Sequence, residues 1–377
     1  MKIVHVVGAR PNFMKVAPII ESFKEHNRIA ESELRVEQIL VHTGQHYDRS
    51  MSALYFDNLD LPRPDINLAV GSGPHGEQTG RIMEAFEKIL EQERPDLVLV
   101  VGDVNSTMAC ALDAKKMCIP AAHVEAGLRS RDMTMPEEIN RIVTDAIADL
   151  LFTTDRRADE NLKREGIPAH KIHFVGNVMI DTLVKHRQKA LALPTLQDMG
   201  LKKKASVANY ALTTLHRPGN VDDRKVLLGI GEALAILGRT MEVVFPIHPR
   251  TFDAIKRFKL EKVFSNEHGI RLLEPLGYLD FLNLQANARM IITDSGGVQE
   301  ESTILGVSCL TLRPNTERPI TIEQGTNRLV GNKKQAIVDA FEAVMREKKN
   351  ATRTPDLWDG NAAARIVDVI VSWSSKK

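Results

Sequence analysis

Short apolar runs and longer stretches of helical periodicity alternate along almost the whole chain, and that alternation restricts the fold more than any other feature. The runs Ile3–Val7, Arg35–Val41, Leu97–Val101, Ala121–Val124 and Leu150–Thr153 have the length and aliphatic character of buried strands. Between them, Met14–Lys24, Glu77–Glu91 and Val104–Met117 carry apolar residues at helical spacing. Strands apolar on both faces, separated by helices, predict a parallel sheet covered on both sides. The pattern then starts again. Tyr210–Thr214, Glu242–Ile247, Ile270–Leu273, Met290–Thr293 and Val307–Leu312 read as strands, with helices at Arg224–Leu237, Leu279–Gln285 and Gln299–Leu305. At 377 residues the chain exceeds one ordinary core and fits two domains of roughly 150–200 residues each.

The predicted fold class is α/β, with two Rossmann-like, doubly wound domains over residues 1–180 and 200–360. The irregular, Lys-rich segment Leu193–Val207 is the connection, with the boundary near residues 176–200. The last segment, about 361–377, is helical with apolar Ala363, Ile366, Val367 and Ile370, a pattern that packs back on a first domain. Open α/β sheets bind ligands outside the carboxyl ends of their strands. Two such sheets are therefore expected to face a central cleft, and motifs directly after strands carry the most weight.

A formal net charge of +1 gives no reason to expect a nucleic-acid partner, although it leaves a local phosphate pocket open. Cys110, Cys118 and Cys309 each sit in an apolar stretch without metal-ligand spacing, so buried free thiols and a reducing compartment are expected. Met1–Gly8 reads as a first strand rather than a secretion signal, and no apolar run is long enough to span a membrane, so a cytoplasmic location is expected. No metal and no cofactor is expected: the histidines lack tight ligand spacing, and the dinucleotide fingerprint G-x-G-x-x-G is missing.

The clearest chemical motif is Met290–Glu301, where a buried strand ends in Asp294-Ser295-Gly296-Gly297 and a helix starts at once. Glycines let the backbone approach a ligand, and the free N–H groups of the helix start favour an anion. Ser295 is placed to cap the helix, and Glu301, one turn in, is within reach of a ribose diol; a simple capped turn is the plainer reading. Gly8-Ala9-Arg10-Pro11, with Lys15 behind it, is a related turn whose two cations suit a diphosphate. Asp103 and Glu125 end two strands and could share a site, although Asp is also the common helix cap. Pro136 opens a helix whose expected buried stripe is Ile139, Ile142, Val143, Ala146 and Ile147, with Glu137 and Arg141 off that stripe at ion-pair spacing. His216-Arg217 and His248-Pro249-Arg250 follow strands in the second half, and His42, Gln45 and His46 do so in the first. Phosphate contact or proton transfer suits such histidines better than metal binding.

Together these residues resemble the non-hydrolysing UDP-N-acetylglucosamine 2-epimerases over nearly the whole chain. Gly8-Ala9-Arg10-Pro11 with Lys15, Gly102-Asp103, His123–Arg129, Pro136–Arg141, His216-Arg217, Asp294–Gly297 with Glu300-Glu301, and Thr316–Pro319 occur in the family's order. The resemblance implies the GT-B fold, usually as a homodimer, and a UDP-sugar substrate. It implies elimination of UDP across C1–C2 to a 2-acetamidoglucal, followed by re-addition with C2 protonated on the other face. By the same matching, Asp103, Glu125, Glu137 and His216 are the catalytic groups. Arg10, Lys15, Ser295 and Gly296 match the phosphate contacts, Glu301 the ribose contact, Arg318 a sugar-site arginine and Tyr278 the uracil-contacting region; Gly297 and His248 complete the expected substrate-binding set. One departure is Gln45-His46-Tyr47-Asp48-Arg49-Ser50-Met51, where many bacterial members carry an allosteric glutamine motif; an anion at Asp48 opposes a second diphosphate, so hyperbolic kinetics are expected. The His42–His46 run and His248–Thr251 also resemble the branch acting on UDP-2,3-diacetamido-glucuronic acid. A glycosyltransferase of the same fold and an idle nucleotide-sugar binding protein are the competing readings, and three carboxylates near one sugar favour epimerisation over both.

Overall fold

The computed structural model describes residues 1–45, 61–203, 206–347 and 353–375. The departing motif at His46, Tyr47, Asp48 and Arg49–Met51 lies outside the described residues. The chain divides into two compact units: residues 1–185 with 356–377, and residues 186–355.

Unit 1 is built on seven strands, β1 (Lys2–Val7), β2 (Glu37–His42), β3 (Ile66–Asn67), β4 (Leu97–Val101), β5 (Ala121–Ala126), β6 (Leu150–Thr153) and β7 (Ile172–Phe174). They lie in the order β3-β2-β1-β4-β5-β6-β7, all parallel. Helices α1 (Arg10–Ile29), α2 (His75–Glu93), α3 (Asn105–Lys116), α4 (Pro136–Ile147) and α5 (Arg156–Arg164) connect or flank them. β4 is buried at every position, as the unbroken aliphatic run predicts for a strand covered on both faces. The chain passes into unit 2 within α6 (Val178–Ala192).

Unit 2 repeats the scheme after a two-stranded hairpin, β8 (Lys202–Lys203) and β9 (Ser206–Val207). Strands β10 (Tyr210–Thr214), β11 (Glu242–Pro246), β12 (Ile270–Leu273), β13 (Met290–Thr293), β14 (Ser308–Thr311) and β15 (Asn327–Leu329) lie in the order β12-β11-β10-β13-β14-β15, again all parallel. Its longer helices are α7 (Arg224–Gly238), α8 (Pro249–Arg257), α9 (Tyr278–Asn287), α10 (Gly296–Leu305) and α11 (Lys334–Arg346). The terminal helix α12 (Ala362–Ser374) packs on α1 of unit 1, and Asp181 accepts the backbone N–H groups of Ala362 (3.1 Å) and Ala363 (2.7 Å) at its start.

In each sheet the strand order reverses beside one strand, between β1 and β4 in unit 1 and between β10 and β13 in unit 2. That reversal opens a crevice at the strands' carboxyl ends, the usual ligand position in such sheets. The chemical motifs fall there in both units.

Two expectations are corrected. Cys110 and Cys309 are buried, but Cys118 is exposed, because it follows the last turn of α3 in a left-handed conformation (φ 61°). In α4 the apolar stripe is not the buried one: Ile139 is exposed, and Glu138, Asn140, Arg141, Thr144 and Asp145 are buried. The helix turns its polar face to the ends of β4 and β5, where these side chains have ion-pair and hydrogen-bond partners. Among the described residues, no helix is long and apolar enough to cross a membrane.

Candidate active site

In unit 1 the chain leaves β1 through Gly8-Ala9. Asn12 Oδ1 accepts the backbone N–H of Gly8 (3.2 Å) and of Ala9 (2.9 Å), while its Nδ2 donates to the carbonyl of Val101 (2.9 Å). The turn is thereby tied to the end of β4. A Cβ on Gly8 would run into Ser106, whose N and Oγ donate to Gln45 Oε1 at 3.2 and 2.8 Å. Close packing therefore accounts for that glycine, and Gln45 is engaged within the unit. Arg10 begins α1 and is half-buried. Lys15 is buried, and its ammonium pairs with the carboxylate of Glu125. A Cβ on Gly102 would lie 2.9 Å from Lys15 Nζ and 3.4 Å from Glu125 Oε2, so this positive-φ glycine leaves room for the pair.

Glu125 sits on a bulge. The β5–β6 register shifts between Val124 and Ala126, and Glu125 has φ 75°, uncommon for a residue with a side chain. Such backbone persists only where its surroundings hold it. Here Asp145, from α4, accepts the N–H of Gly127 (3.0 Å), meets His123 Nδ1 (2.6 Å) and pairs with Arg129 (2.7 Å). His123 Nε2 lies 2.8 Å from the carbonyl of Gly102. Burial alone would raise the Asp145 carboxyl, but His123 and Arg129 outweigh it and hold it below the ordinary range.

Asp103 does not cap α3; Val104 is the capping residue and makes no side-chain cap. The Asp103 carboxylate instead takes a hydrogen bond from Arg141 (2.5 Å), and its carbonyl takes one from Asn140 (2.9 Å). Arg141 also pairs with Glu138 (2.5 Å), so the expected Glu137–Arg141 surface pair does not form. Glu137 is half-buried and has no partner among the described residues. Its neighbour Glu138 accepts the N–H groups of Ser130 (2.9 Å) and Arg131 (2.8 Å). Asp103 and Glu125 thus end adjacent strands, each held by a cation. His42 is buried against Phe13 (ring centroids 5.2 Å), and burial pushes its titration down; this is the setting of a packed histidine.

In unit 2 the fully buried Asp294 directs its carboxylate at the end of β10. It accepts the N–H groups of His216 (3.1 Å) and Arg217 (2.9 Å) and the Nδ2 of Asn220 (3.0 Å), and its Oδ1 lies 3.0 Å from His216 Nδ1. Burial would raise this carboxyl, and these donors outweigh it and hold it low. The structure thus assigns the Asp294 carboxylate to the neighbouring strand end. His248 Nδ1 accepts the N–H of Arg250 (3.2 Å), and the His216 and His248 rings lie 5.6 Å apart.

Ser295 precedes α10 without a side-chain cap, contrary to expectation, and its N–H bonds Thr293 Oγ1 (3.0 Å). Ser295, Gly296 and Gly297 are partly exposed. A Cβ on Gly296 would lie 2.7 Å from Nη1 of Arg318. The guanidinium thus lies against the helix start, paired with Glu317 and with Glu300 (2.5 Å). Arg318 and Arg313 hold the Glu317 carboxyl far below its ordinary range despite burial, which acts the other way. Glu301 is raised by burial, partly offset by donors Gln285 Nε2 (2.7 Å) and the Tyr278 hydroxyl (2.9 Å). Tyr278 is thus linked to Glu301, a pairing that strand-end motifs could not reveal. Among the described residues no cluster of three or more His, Cys, Asp or Glu is placed to hold a metal ion.

A protein-family model described as UDP-N-acetylglucosamine 2-epimerase matches residues 28–371. The chain is 42% identical over 374 residues to the UDP-N-acetylglucosamine 2-epimerase of Methanocaldococcus jannaschii, covering 98% of this chain and 99% of that protein. It is also 42% identical over 343 residues to the UDP-2,3-diacetamido-2,3-dideoxy-D-glucuronate 2-epimerase of Pseudomonas aeruginosa, covering 90% and 91%. The crystal structure of the M. jannaschii UDP-GlcNAc 2-epimerase in complex with UDP-GlcNAc and UDP superposes with a TM-score of 0.89, at 99% and 100% coverage.

Proposed function

The chain belongs to the UDP-N-acetylglucosamine 2-epimerase family, and from that premise we propose that it interconverts UDP-N-acetylglucosamine and UDP-N-acetylmannosamine without hydrolysis. The observation that carries the proposal is the pair Asp103 and Glu125 at the ends of adjacent strands, each against a buried cation. The sugar's C2 proton is too weakly acidic for easy direct removal. Elimination avoids the problem: a carboxylate takes the C2 proton, the C1–O electron pair leaves with UDP, and C1=C2 forms. Re-addition then reverses each step, with the proton delivered to the opposite face.

That chemistry needs a carboxylate on each face of the ring and stabilisation of the departing diphosphate. Asp103, Glu125 and Glu137 take the first role. His216, with Arg10, Lys15, His248, Arg318 and the Ser295-Gly296-Gly297 helix start, takes the second. Glu301 receives the ribose hydroxyls, and Tyr278, bonded to Glu301, borders the uracil. A second substrate, UDP-2,3-diacetamido-glucuronic acid, is favoured by the equal identity to the P. aeruginosa relative.

Incubation of either nucleotide sugar in deuterated water tests the reading. The C2 epimer is expected to appear with one deuterium at C2 and with no acceptor present. Absence of both deuterium and epimer with both substrates contradicts it.

A further inference from the structure

We infer that Asp294 is a positioning residue that fixes the tautomer and direction of the His216 ring, and is not itself a ligand of the diphosphate. The inference rests on the epimerase reading for the role of His216. Its geometry stands apart from that reading.

Asp294 ends β13 and His216 lies two residues beyond β10, strands that pair in parallel with Thr214 opposite Thr293. The Asp294 carboxylate is 0% exposed, whereas the His216 side chain is 37% exposed. The carboxylate accepts from His216 N, Arg217 N and Asn220 Nδ2, and Asn220 Nδ2 also donates to the Leu312 carbonyl (2.8 Å), so the acid is anchored from three sides. An ionised carboxylate only accepts hydrogen bonds. With Oδ1 at 3.0 Å, His216 Nδ1 therefore carries the hydrogen, and Nε2, on the far side of the ring, is left to the ligand. His248, whose ring centroid is 5.6 Å away, is set the opposite way: its Nδ1 accepts from Arg250 N, which leaves the hydrogen on Nε2. Two neighbouring imidazoles are thus held in opposite tautomers by different partners.

The consequence is chemical. When the C1–O bond breaks, its electron pair stays on the diphosphate oxygen. With Nδ1–H held by the carboxylate, a second proton taken up from solvent on Nε2 makes the ring an imidazolium that donates a hydrogen bond to that oxygen, and the buried carboxylate behind Nδ1 stabilises its charge. No proton need leave the ring, so re-addition of the diphosphate restores the starting state.

The first test uses the unsubstituted full-length protein. Nitrogen-15 NMR of labelled histidine, with His216 assigned through His216→Gln, should show the neutral ring of His216 protonated at Nδ1 and that of His248 at Nε2. A His216 ring with hydrogen only on Nε2 overturns the inference, and this readout does not require turnover. The second test is Asp294→Asn, which keeps the shape and can still accept from the backbone. It should lower kcat roughly 10²–10³-fold, with KM and the Kd for UDP changed less than about threefold. In a His216→Gln background the same substitution should cost no further rate. Loss of UDP affinity in step with kcat, or full additivity with His216→Gln, contradicts the assignment. If the protein has no epimerase activity but shows the expected tautomers, the functional reading fails and the positioning role stands; the converse pattern sinks only the latter.

Discussion

The two units have the same sheet scheme, but the most exposed member of a strand-end ion pair is an acid at Asp103 in unit 1 and a base at His216 in unit 2. In unit 1 the Asp103–Arg141 pair buries its cation and leaves the carboxylate more exposed, Arg141 at 1% and Asp103 at 26%, while Lys15 (9%) and Glu125 (4%) are both buried. In unit 2 the acids lie underneath: Asp294 is 0% exposed beneath His216 at 37%, and Glu317 is 3% exposed beside Arg217 at 27%. A buried ion pair is costly unless both charges are matched, so the inner member is fixed and the outer one is presented to a ligand. One fold, used twice, thus offers the carboxylates Asp103 and Glu125 at the strand ends of one sheet and the imidazole of His216 at those of the other. The first suits moving a proton, the second suits holding a diphosphate.

This contrast can be broken by substitution. Glu125→Gln should remove one of the proposed acid–base groups of unit 1 and lower kcat about 10²–10⁴-fold while UDP binding persists, as titration calorimetry would show. Equal loss of binding and rate would mean that Glu125 serves to hold the nucleotide rather than to move a proton. Arg318→Ala should leave Glu300 and Glu317 buried without their shared cation. A destabilisation of about 3–5 kcal/mol in chemical denaturation is expected, of the size usual for breaking a buried pair; less than about 1 kcal/mol would mean that the acids are relieved by water.

Acid should expose the difference most gently. Asp145 in unit 1 and Asp294 and Glu317 in unit 2 are all held low in the fold. Their contributions are therefore complete above the ordinary carboxylate range and lost as pH falls through the lowered values. Glu301 is raised, so it acts the other way and favours the fold slightly as pH drops towards that ordinary range. Thermal midpoints measured from neutral pH downward should hold until below about pH 4 and then fall. A decline beginning near pH 6 would contradict the pairing described for these acids.

Much of this was legible from the sequence. Long aliphatic strands such as Leu97–Val101 declared themselves, because burial on both faces leaves no other pattern. Short edge strands, Ile66–Asn67 and Asn327–Leu329, did not, since two or three residues carry no periodicity. Arg318 and Tyr278 came only from the family resemblance, whereas Asp103, Glu125, His216 and the Ser295–Gly297 turn were found by their place at strand ends. Their partners were not: Arg141 reaches Asp103, 38 residues away, and Asp294 reaches His216, 78 away. The polar inner face of α4 was misread for the same reason, because burial of Asn140, Arg141 and Asp145 depends on distant partners and not on local spacing.

The central claim is that the C1–O bond breaks in every turnover while the released diphosphate stays bound. Positional isotope exchange tests it directly, using UDP-N-acetylglucosamine carrying oxygen-18 in the bridge between C1 and the β-phosphorus. The account predicts that the label moves into non-bridging phosphate positions as deuterium from the solvent enters C2. Deuterium at C2 with the bridging label fully retained would contradict it, because the epimer would then form without departure of UDP.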